Sequence, residues 1–117
     1  GIAVGITPDG VRRPVATSVL TFILALSGKL FTKDALVRGG PASFAERSNH
    51  MGTGLVGRTR GSIGLGNIGA EVFRLCAPLN MRFIAYDPYI DKNLQNKFDV
   101  KFTTFDEVIK KSLELIN

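Results

Sequence analysis

The stretch IGLGNIGAEV, Ile63 to Val72, decides the fold expected for this chain. It holds three glycines, at Gly64, Gly66 and Gly69, and an apolar helical pattern follows them. The residues just before it, TRGSI, predict a strand, so the glycines lie at a turn from strand to helix. Such a turn exposes unpaired backbone N–H groups at the positive end of a helix dipole, where anions bind.

Each glycine has its own role in this interpretation. Gly64 permits the tight turn, Gly66 lets the backbone approach a pyrophosphate, and Gly69 lets the helix pack closely against the strand. Asn67 and Ile68, at the start of the helix, are expected to present main-chain N–H groups to the ligand. A bare glycine pattern also occurs in purely structural turns, so the surrounding chain has to decide between the two.

The surrounding chain favours a dinucleotide. A second predicted strand, RFIAY at Arg82 to Tyr86, ends at Asp87. An acid about 20 residues after the glycines is placed to bind the hydroxyls of the adenosine ribose. Because a carboxylate repels a 2′-phosphate, Asp87 favours NAD over NADP. The alternative is that Asp87 and Pro88 only form a turn after the strand.

The rest of the second half continues the alternation. NIGAEVFRLCAPLN predicts a helix closed by Pro78 and Asn80, and DVKFTT predicts a third, shorter strand. Thr104 and Glu107 form a capping box that begins a further helix. The last four residues, ELIN, are expected to begin another strand. The β-α-β-α-β order predicts an α/β fold, namely the first half of a Rossmann-like, doubly wound parallel sheet.

The first half is expected to add a strand and a long helix. Ile2 to Ile6 predicts the strand, stopped by a turn at Thr7 to Gly10. Pro14 to Leu30 predicts a helix that is apolar almost all round, which indicates burial in the core or beneath a partner. Its narrow stripe of small or polar residues consists of Thr17, Ser18, Thr21, Ala25 and Gly28. Phe31 to Gly57 is interpreted as a loop-rich connector over the surface.

Composition excludes several classes of partner and site. The net charge is +5, but the basic residues are scattered, so no nucleic-acid partner is expected. The longest apolar run, Val15 to Leu26, is too short to span a bilayer, and no secretory leader opens the chain, so we expect no membrane partner. Cys76 is the only cysteine and is interpreted as a small core residue; a reducing, cytoplasmic location fits. The single histidine, His50, has no partner at metal-ligand spacing, so no metal site is predicted.

In the order and spacing of its motifs the chain resembles the NAD-binding domain of the D-isomer-specific 2-hydroxyacid dehydrogenases. The motifs that carry the resemblance are GIAVGITP, PVATSVLTFILAL, MGTGLVGRTRGSIGLGNIG, MRFIAYDPYI and VKFTTFDEVIKKS. The resemblance implies NAD as the cofactor, with Asn67 and Ile68 at the pyrophosphate and Asp87 at the adenine ribose. It also implies a homodimer formed through the Pro14 to Leu30 helix.

The resemblance further implies hydride transfer between NAD(H) and a small D-2-hydroxy acid or 2-keto acid. The family's arginine, acid and histidine of catalysis match no position here, so no catalytic residue is predicted and His50 is interpreted as a surface or hinge histidine. We therefore expect residues 1–117 to be an incomplete NAD-binding Rossmann domain, without its second half and without the substrate-binding lobe. The chain alone is then expected to be inactive.

Two other functions are compatible with the residues. One is a non-catalytic nucleotide-binding or dimerisation module, that is, a truncated, inactive gene product. The other is a methyltransferase-like nucleotide binder, although the glycine spacing with Asp87 suits NAD better.

Two residues depart from the family's pattern in the strand before the glycines. Arg60 and Ser62 stand where apolar residues are usual. A buried charge is costly, so Arg60 is expected to extend outward to water at the start of the strand.

Overall fold

The computed structural model describes residues 1–90, 93 and 99–113, and within them the chain has an α/β fold built on a parallel sheet. The three strands are β1 (Thr59–Ile63), β2 (Arg82–Tyr86) and β3 (Val100–Phe102). They lie in the order β1-β2-β3, with both pairs parallel. The register places Ile63 opposite Tyr86 at the carboxyl ends of β1 and β2. The predicted Rossmann-like fold class is confirmed for this part of the chain.

The helices precede, separate and follow these strands. Their bounds are α1 (Pro8–Ser27), α2 (Leu30–Arg38), α3 (Gly40–Ala45), a 3-10 helix (Glu46–His50), α4 (Asn67–Cys76), a second 3-10 helix (Ala77–Leu79) and α5 (Phe105–Leu113). The predicted helix after the glycines is confirmed as α4. It ends as expected, with Pro78 in the second 3-10 helix and Asn80 in a left-handed conformation at φ 54°.

Helices α4 and α5 cover opposite faces of the sheet. Phe83 of β2 contacts Phe73 of α4, with ring centroids 4.9 Å apart. Tyr86, an odd number of residues further along the same strand, contacts Phe105 of α5 at 5.7 Å. Because successive side chains of a strand point to opposite faces, the two helices must lie on different sides.

The core on the α4 side is continuous with α1. Ala16 of α1 is fully buried against Val72 and Cys76 of α4. A neighbouring cluster joins Leu65, Phe73 and Ala85 beneath the glycine turn. The predicted burial of Cys76 as a small core residue is confirmed, since its exposed fraction is 0%.

The predicted strand at Ile2 to Ile6 is wrong. These residues pair with no strand of the described sheet, and Ile2, Val4 and Ile6 are 94%, 86% and 83% exposed. A strand is stabilised by hydrogen bonds to a neighbouring strand and by the packing of one of its faces. The apolar residues at Ile2 to Ile6 have neither, because no described strand lies beside them.

The predicted turn at Thr7 to Gly10 is also wrong, and helix α1 begins there instead. Pro8 is the first helical residue and Asp9 lies in the first turn. Proline and aspartate favour a helix start as much as they favour a turn. Proline lacks an N–H, and the first helical turn has no intrahelical acceptor for an N–H. The negative charge of aspartate is stabilised by the positive end of the helix dipole. The long apolar helix is therefore confirmed, but it extends from Pro8 to Ser27 rather than from Pro14 to Leu30.

The connector predicted at Phe31 to Gly57 is largely helical. It contains α2 from Leu30 onward, α3 and the 3-10 helix that ends at His50. Gly39 ends α2 and Gly40, at φ +82°, begins α3. Helices this short show little periodicity, and their glycine and proline boundaries look like a loop.

The capping box at Thr104 is confirmed in part. The amide of Glu107 donates to the Thr104 hydroxyl at 3.2 Å, as an N-cap requires. The carboxylate of Glu107 accepts instead from the Thr103 hydroxyl and pairs with Lys111 at 2.6 Å. The strand expected in ELIN lies outside the described residues.

Within the described residues no single helix is long and apolar enough to cross a membrane; α1 and α2 meet that criterion only as a pair bent by 59°.

Candidate cofactor site

The glycine turn joins the end of β1 to the start of α4 as predicted. Gly64 has φ +85°, a left-handed conformation that L side chains rarely adopt. Its amide donates to the carbonyl of Tyr86 at 2.8 Å, so the turn continues the pairing of β1 with β2. A Cβ added at Gly69 would lie 3.1 Å from the Gly64 oxygen, and this close approach lets α4 pack against the turn.

Gly66 differs from the other two glycines. Its φ of −73° and ψ of −167° are open to any residue, and a Cβ added there would meet no described atom within 4 Å. Nothing described in the protein therefore requires glycine at this position. Without a side chain at this position, the backbone of Gly66 is accessible from the open space beside it. A phosphate could therefore approach the backbone closely.

The N-terminus of α4 faces the same open space. No side chain caps this helix, and the first backbone bond recorded at its start runs from Ala70 to the Gly66 carbonyl at 2.9 Å. Asn67, Ile68 and Gly69, the first three helical residues, thus have no intrahelical acceptor for their N–H groups. These donors and the positive end of the helix dipole suit an anion.

Asp87 lies beside this turn at the end of β2. Its Oδ2 accepts a 2.7 Å hydrogen bond from the amide of Leu65, and its Oδ1 accepts one of 2.9 Å from the amide of Tyr89. These bonds, the Leu65 one foremost, hold the pKa of Asp87 below its ordinary value although partial burial opposes them. The side chain is therefore a carboxylate at neutral pH, held against the turn.

Another carboxylate, that of Glu71 in α4, is paired with two arginines. Glu71 Oε1 lies 2.6 Å from Arg74 Nη2 and 3.8 Å from Arg13 Nε of α1. The Arg74 hydrogen bond lowers the pKa of Glu71, and Arg13 adds to that effect. Since a free carboxylate near the start of α4 would repel a phosphate, this pairing preserves the anion-binding character of the helix end.

The expected outward course of Arg60 is wrong. Its Nη1 lies 3.3 Å from the sulfur of Cys76, and its guanidinium carbon lies 5.6 Å from the centre of the Phe73 ring. Its Nε is buried without a hydrogen-bond partner among the described residues, and burial lowers the pKa of the guanidinium. The side chain is directed inward because residue 60 of β1 points to the face that α4 covers.

His50 takes no part in the turn. It ends the 3-10 helix that follows α3, and none of the hydrogen bonds of the turn involves it. Across residues 1–90, 93 and 99–113, no three histidine, cysteine or acidic side chains lie close enough to hold a metal ion.

Sequence reasoning missed Leu65 as part of this site. Its side chain is 1% exposed and anchors the turn in the core beside Phe73 and Ala85, while its amide binds Asp87. An apolar residue between two glycines is the available signal, because a turn that exposes its backbone still needs an anchor in the core.

The sequence of the chain is similar to those of known proteins. A family model described as D-isomer specific 2-hydroxyacid dehydrogenase, NAD binding domain, matches residues 20–116. D-3-phosphoglycerate dehydrogenase of Archaeoglobus fulgidus is 36% identical over 112 residues, which are 96% of this chain and 21% of that protein. The human D-3-phosphoglycerate dehydrogenase is 33% identical over 108 residues, 92% of this chain and 20% of that protein. The chain thus spans about a fifth of the length of these relatives.

Solved structures show the same fold. A glyoxylate reductase from Paecilomyes thermophila matches with a TM-score of 0.73 and 25% identity over 92% of this chain and 32% of that one. D-lactate dehydrogenase from Lactobacillus jensenii, solved with NAD+, matches with a TM-score of 0.76 and 23% identity over 90% of this chain and 31% of that one. The predicted family and its cofactor, NAD, are therefore confirmed. The chain belongs to the NAD-binding domain family of the D-isomer-specific 2-hydroxyacid dehydrogenases.

Proposed function

We propose that this chain binds NAD at the glycine turn, through the backbone of Gly64, Gly66, Asn67, Ile68 and Gly69 and the carboxylate of Asp87. The observation that carries the proposal is the 2.7 Å bond between the Leu65 amide and Asp87. This bond holds the Asp87 carboxylate beside the glycine turn, and that proximity supports a ribose site and a phosphate site in one dinucleotide half.

The donor and acceptor chemistry of these residues fits NAD. Uncapped N–H groups at the start of α4 suit the pyrophosphate, and the bare backbone at Gly66 permits close approach. Each Asp87 oxygen has two lone pairs and uses one on a backbone amide, so one on each oxygen is left for the two ribose hydroxyls. A 2′-phosphate would meet this carboxylate and be repelled, which supports NAD over NADP.

The whole protein is proposed to be an NAD-dependent oxidoreductase acting on a small D-2-hydroxy acid or the corresponding 2-keto acid. When bound, NAD+ would accept the hydride in the oxidation of the hydroxy acid, and NADH would supply it in the reduction of the keto acid. The residues described here bind and orient the adenosine half of the cofactor, and none of them is assigned a catalytic role. A cytoplasmic location is part of the same proposal.

Nucleotide binding by the full chain tests this function. Isothermal titration with NAD, ADP-ribose and NADP is expected to give similar affinities for NAD and ADP-ribose and a weaker one for NADP. Asp34→Asn, which alters a carboxylate paired with Arg38 in α2 at 2.8 Å, serves as the matched control for Asp87→Asn. Equal affinity for NAD and NADP, or loss of binding in both variants alike, would count against the site.

We also propose a homodimer formed through α1. The support is an apolar surface on this helix: Phe22 and Leu26 are 63% and 71% exposed in the single chain. Sedimentation equilibrium should show a dimer that Phe22→Asp with Leu26→Asp converts to a monomer. Ile2→Asp, which changes an even more exposed aliphatic side chain outside the helix, should leave the dimer intact. A monomeric wild-type chain would refute the dimer and leave the nucleotide site untouched.

A further inference from the structure

One peptide group of the glycine turn, between Gly64 and Leu65, is held at both of its ends. Its carbonyl oxygen accepts a 2.8 Å hydrogen bond from the hydroxyl of Ser62. Its N–H donates a 2.7 Å hydrogen bond to Oδ2 of Asp87. Since a peptide group is planar and rigid, Ser62 and Asp87 are connected through a single stiff unit.

The hydrogen bond from Ser62 matters because few other contacts fix the orientation of this peptide. Gly64, at φ +85°, lacks a side chain that would restrict rotation of the peptide, so other contacts have to fix its plane. Its carbonyl oxygen lies against the first turn of α4, where a Cβ at Gly69 would approach to 3.1 Å. The Ser62 hydroxyl completes this restraint, and a fixed C=O direction also fixes the direction of the N–H.

We propose that Ser62 is a positioning residue for Asp87, acting through the peptide between Gly64 and Leu65. The hydroxyl orients this peptide so that its N–H meets the carboxylate and holds it in the rotamer that the proposed function uses for the adenine ribose. Consecutive hydrogen bonds also polarise one another, so the bond to the carbonyl strengthens the N–H as a donor. The consequence for NAD rests on the proposed function, whereas the positioning is a property of the protein without ligand.

The electrostatics of Asp87 support this chain of bonds. The largest cause of its lowered pKa is the Leu65 amide, followed by the Tyr89 amide, and partial burial acts in the opposite direction. No charged side chain among the described residues contributes, and neither of the neighbouring tyrosines, Tyr86 and Tyr89, does so through its phenol. A change at Ser62 can therefore reach Asp87 only through the peptide or through the fold.

The test is a carbon-13 NMR titration of the Asp87 carboxyl in the full chain without nucleotide. Ser62→Ala is expected to raise the pKa of Asp87 toward its ordinary value, because the Leu65 N–H loses its fixed direction toward the carboxylate. Ser62→Thr retains the hydroxyl and is expected to leave that pKa as in the wild type. Ser18→Ala is the matched control, because the Ser18 hydroxyl also donates to a backbone carbonyl, that of Pro14, but in α1.

A second variant keeps the proposal testable if Ser62→Ala does not fold. Ser62→Cys preserves the size of the side chain but offers a weaker donor, so its Asp87 pKa is expected between those of the wild type and Ser62→Ala. An Asp87 pKa that stays at the wild-type value in the folded Ala or Cys variant would overturn the proposal. If the wild-type chain fails to bind ADP-ribose, the proposed function fails while this ligand-free titration still decides the role of Ser62.

Discussion

The amide of Leu65 donates a 2.7 Å hydrogen bond to Oδ2 of Asp87, and this bond joins the turn after β1 to the end of β2. In a parallel sheet the carboxyl ends of neighbouring strands lie at one edge, which is where such folds bind their ligands. The bond makes the glycine turn and the carboxylate a single unit before any cofactor arrives. Pre-organisation of this kind lowers the entropy cost of binding.

Replacing Asp87 by asparagine should change the choice of nucleotide. The amide keeps the shape of the side chain but removes its charge and some of its acceptor capacity. NAD affinity is expected to fall about tenfold or more, in line with the loss of hydrogen bonds to a charged group. NADP affinity should fall less or rise, because the repulsion of the 2′-phosphate is gone. Titration calorimetry with both nucleotides measures the ratio; an unchanged NAD to NADP ratio would contradict the assignment of Asp87 to the ribose.

Stability should depend on pH through the same residue. The pKa of Asp87 is lowered in the folded chain, chiefly by the Leu65 amide. A carboxylate of this kind stabilises the fold above its unfolded pKa of about 3.9, and the contribution disappears as the pH falls through the folded pKa. The stability difference between wild type and Asp87→Asn should therefore be largest near neutral pH and shrink on acidification. Urea denaturation over a pH series measures it, and a difference independent of pH would contradict this reasoning.

Alanine at Gly64 should lower the stability of the fold, whereas alanine at Gly66 should lower the affinity for NAD. Gly64→Ala forces a left-handed φ on an L residue and should cost about 1–2 kcal/mol of stability. Gly66→Ala meets no strain and no described neighbour within 4 Å, so the stability should stay within about 0.5 kcal/mol of the wild type. Its methyl group nevertheless lies where the phosphates are expected, and NAD affinity should fall about tenfold.

Urea denaturation together with NAD titration separates these two effects. Gly10→Ala is a suitable control for the substitution itself, because a Cβ there meets only the Thr7 side chain at an ordinary 3.7 Å. Strong destabilisation by Gly66→Ala, or full retention of NAD binding, would show that the position has a structural rather than a ligand-binding role.

The partly buried charge of Arg60 is expected to destabilise the fold. Its guanidinium lies against Cys76 and Phe73 of α4, and its Nε is buried without a hydrogen-bond partner within the described part of the chain. Arg60→Met replaces it with an apolar chain of similar length that can contact Phe73, and the free energy of unfolding should rise by about 1 kcal/mol. Arg82→Met, at an exposed position of β2, should change little. A loss of stability in Arg60→Met would mean that the thiol and ring contacts outweigh the desolvation of the charge.

The glycine turn and the strands and helix around it could be predicted because their signals are local. The spacing of the three glycines, the strands on either side and Asp87 at the end of β2 all depend on residues close in sequence. The bounds of β2 and the start of α4 at Asn67 are as expected. The bond from Leu65 to Asp87 needs the register of two strands and could not be read from spacing alone.

The errors at Ile2 to Ile6 and at Arg60 share a physical cause, because the structure of both depends on neighbours distant in sequence. Ile2 to Ile6 has the pattern of a strand but no neighbouring strand among the described residues, so its aliphatic side chains stay exposed. Arginine is usually a surface residue, but the side chain of Arg60 lies on the face of β1 that α4 covers and is therefore directed inward. Local propensity gives way to packing in both cases.

Backbone amide NMR during titration with ADP-ribose tests the central claim most directly. The account predicts saturable chemical-shift changes centred on the amides of Leu65 to Gly69 and on Tyr89, whose N–H binds Asp87. These changes should be absent on titration with ribose 5-phosphate at the same concentrations, since that ligand lacks the pyrophosphate. Saturable shifts confined to α1, α2 or α3, with the amides of the glycine turn unmoved, would contradict the account.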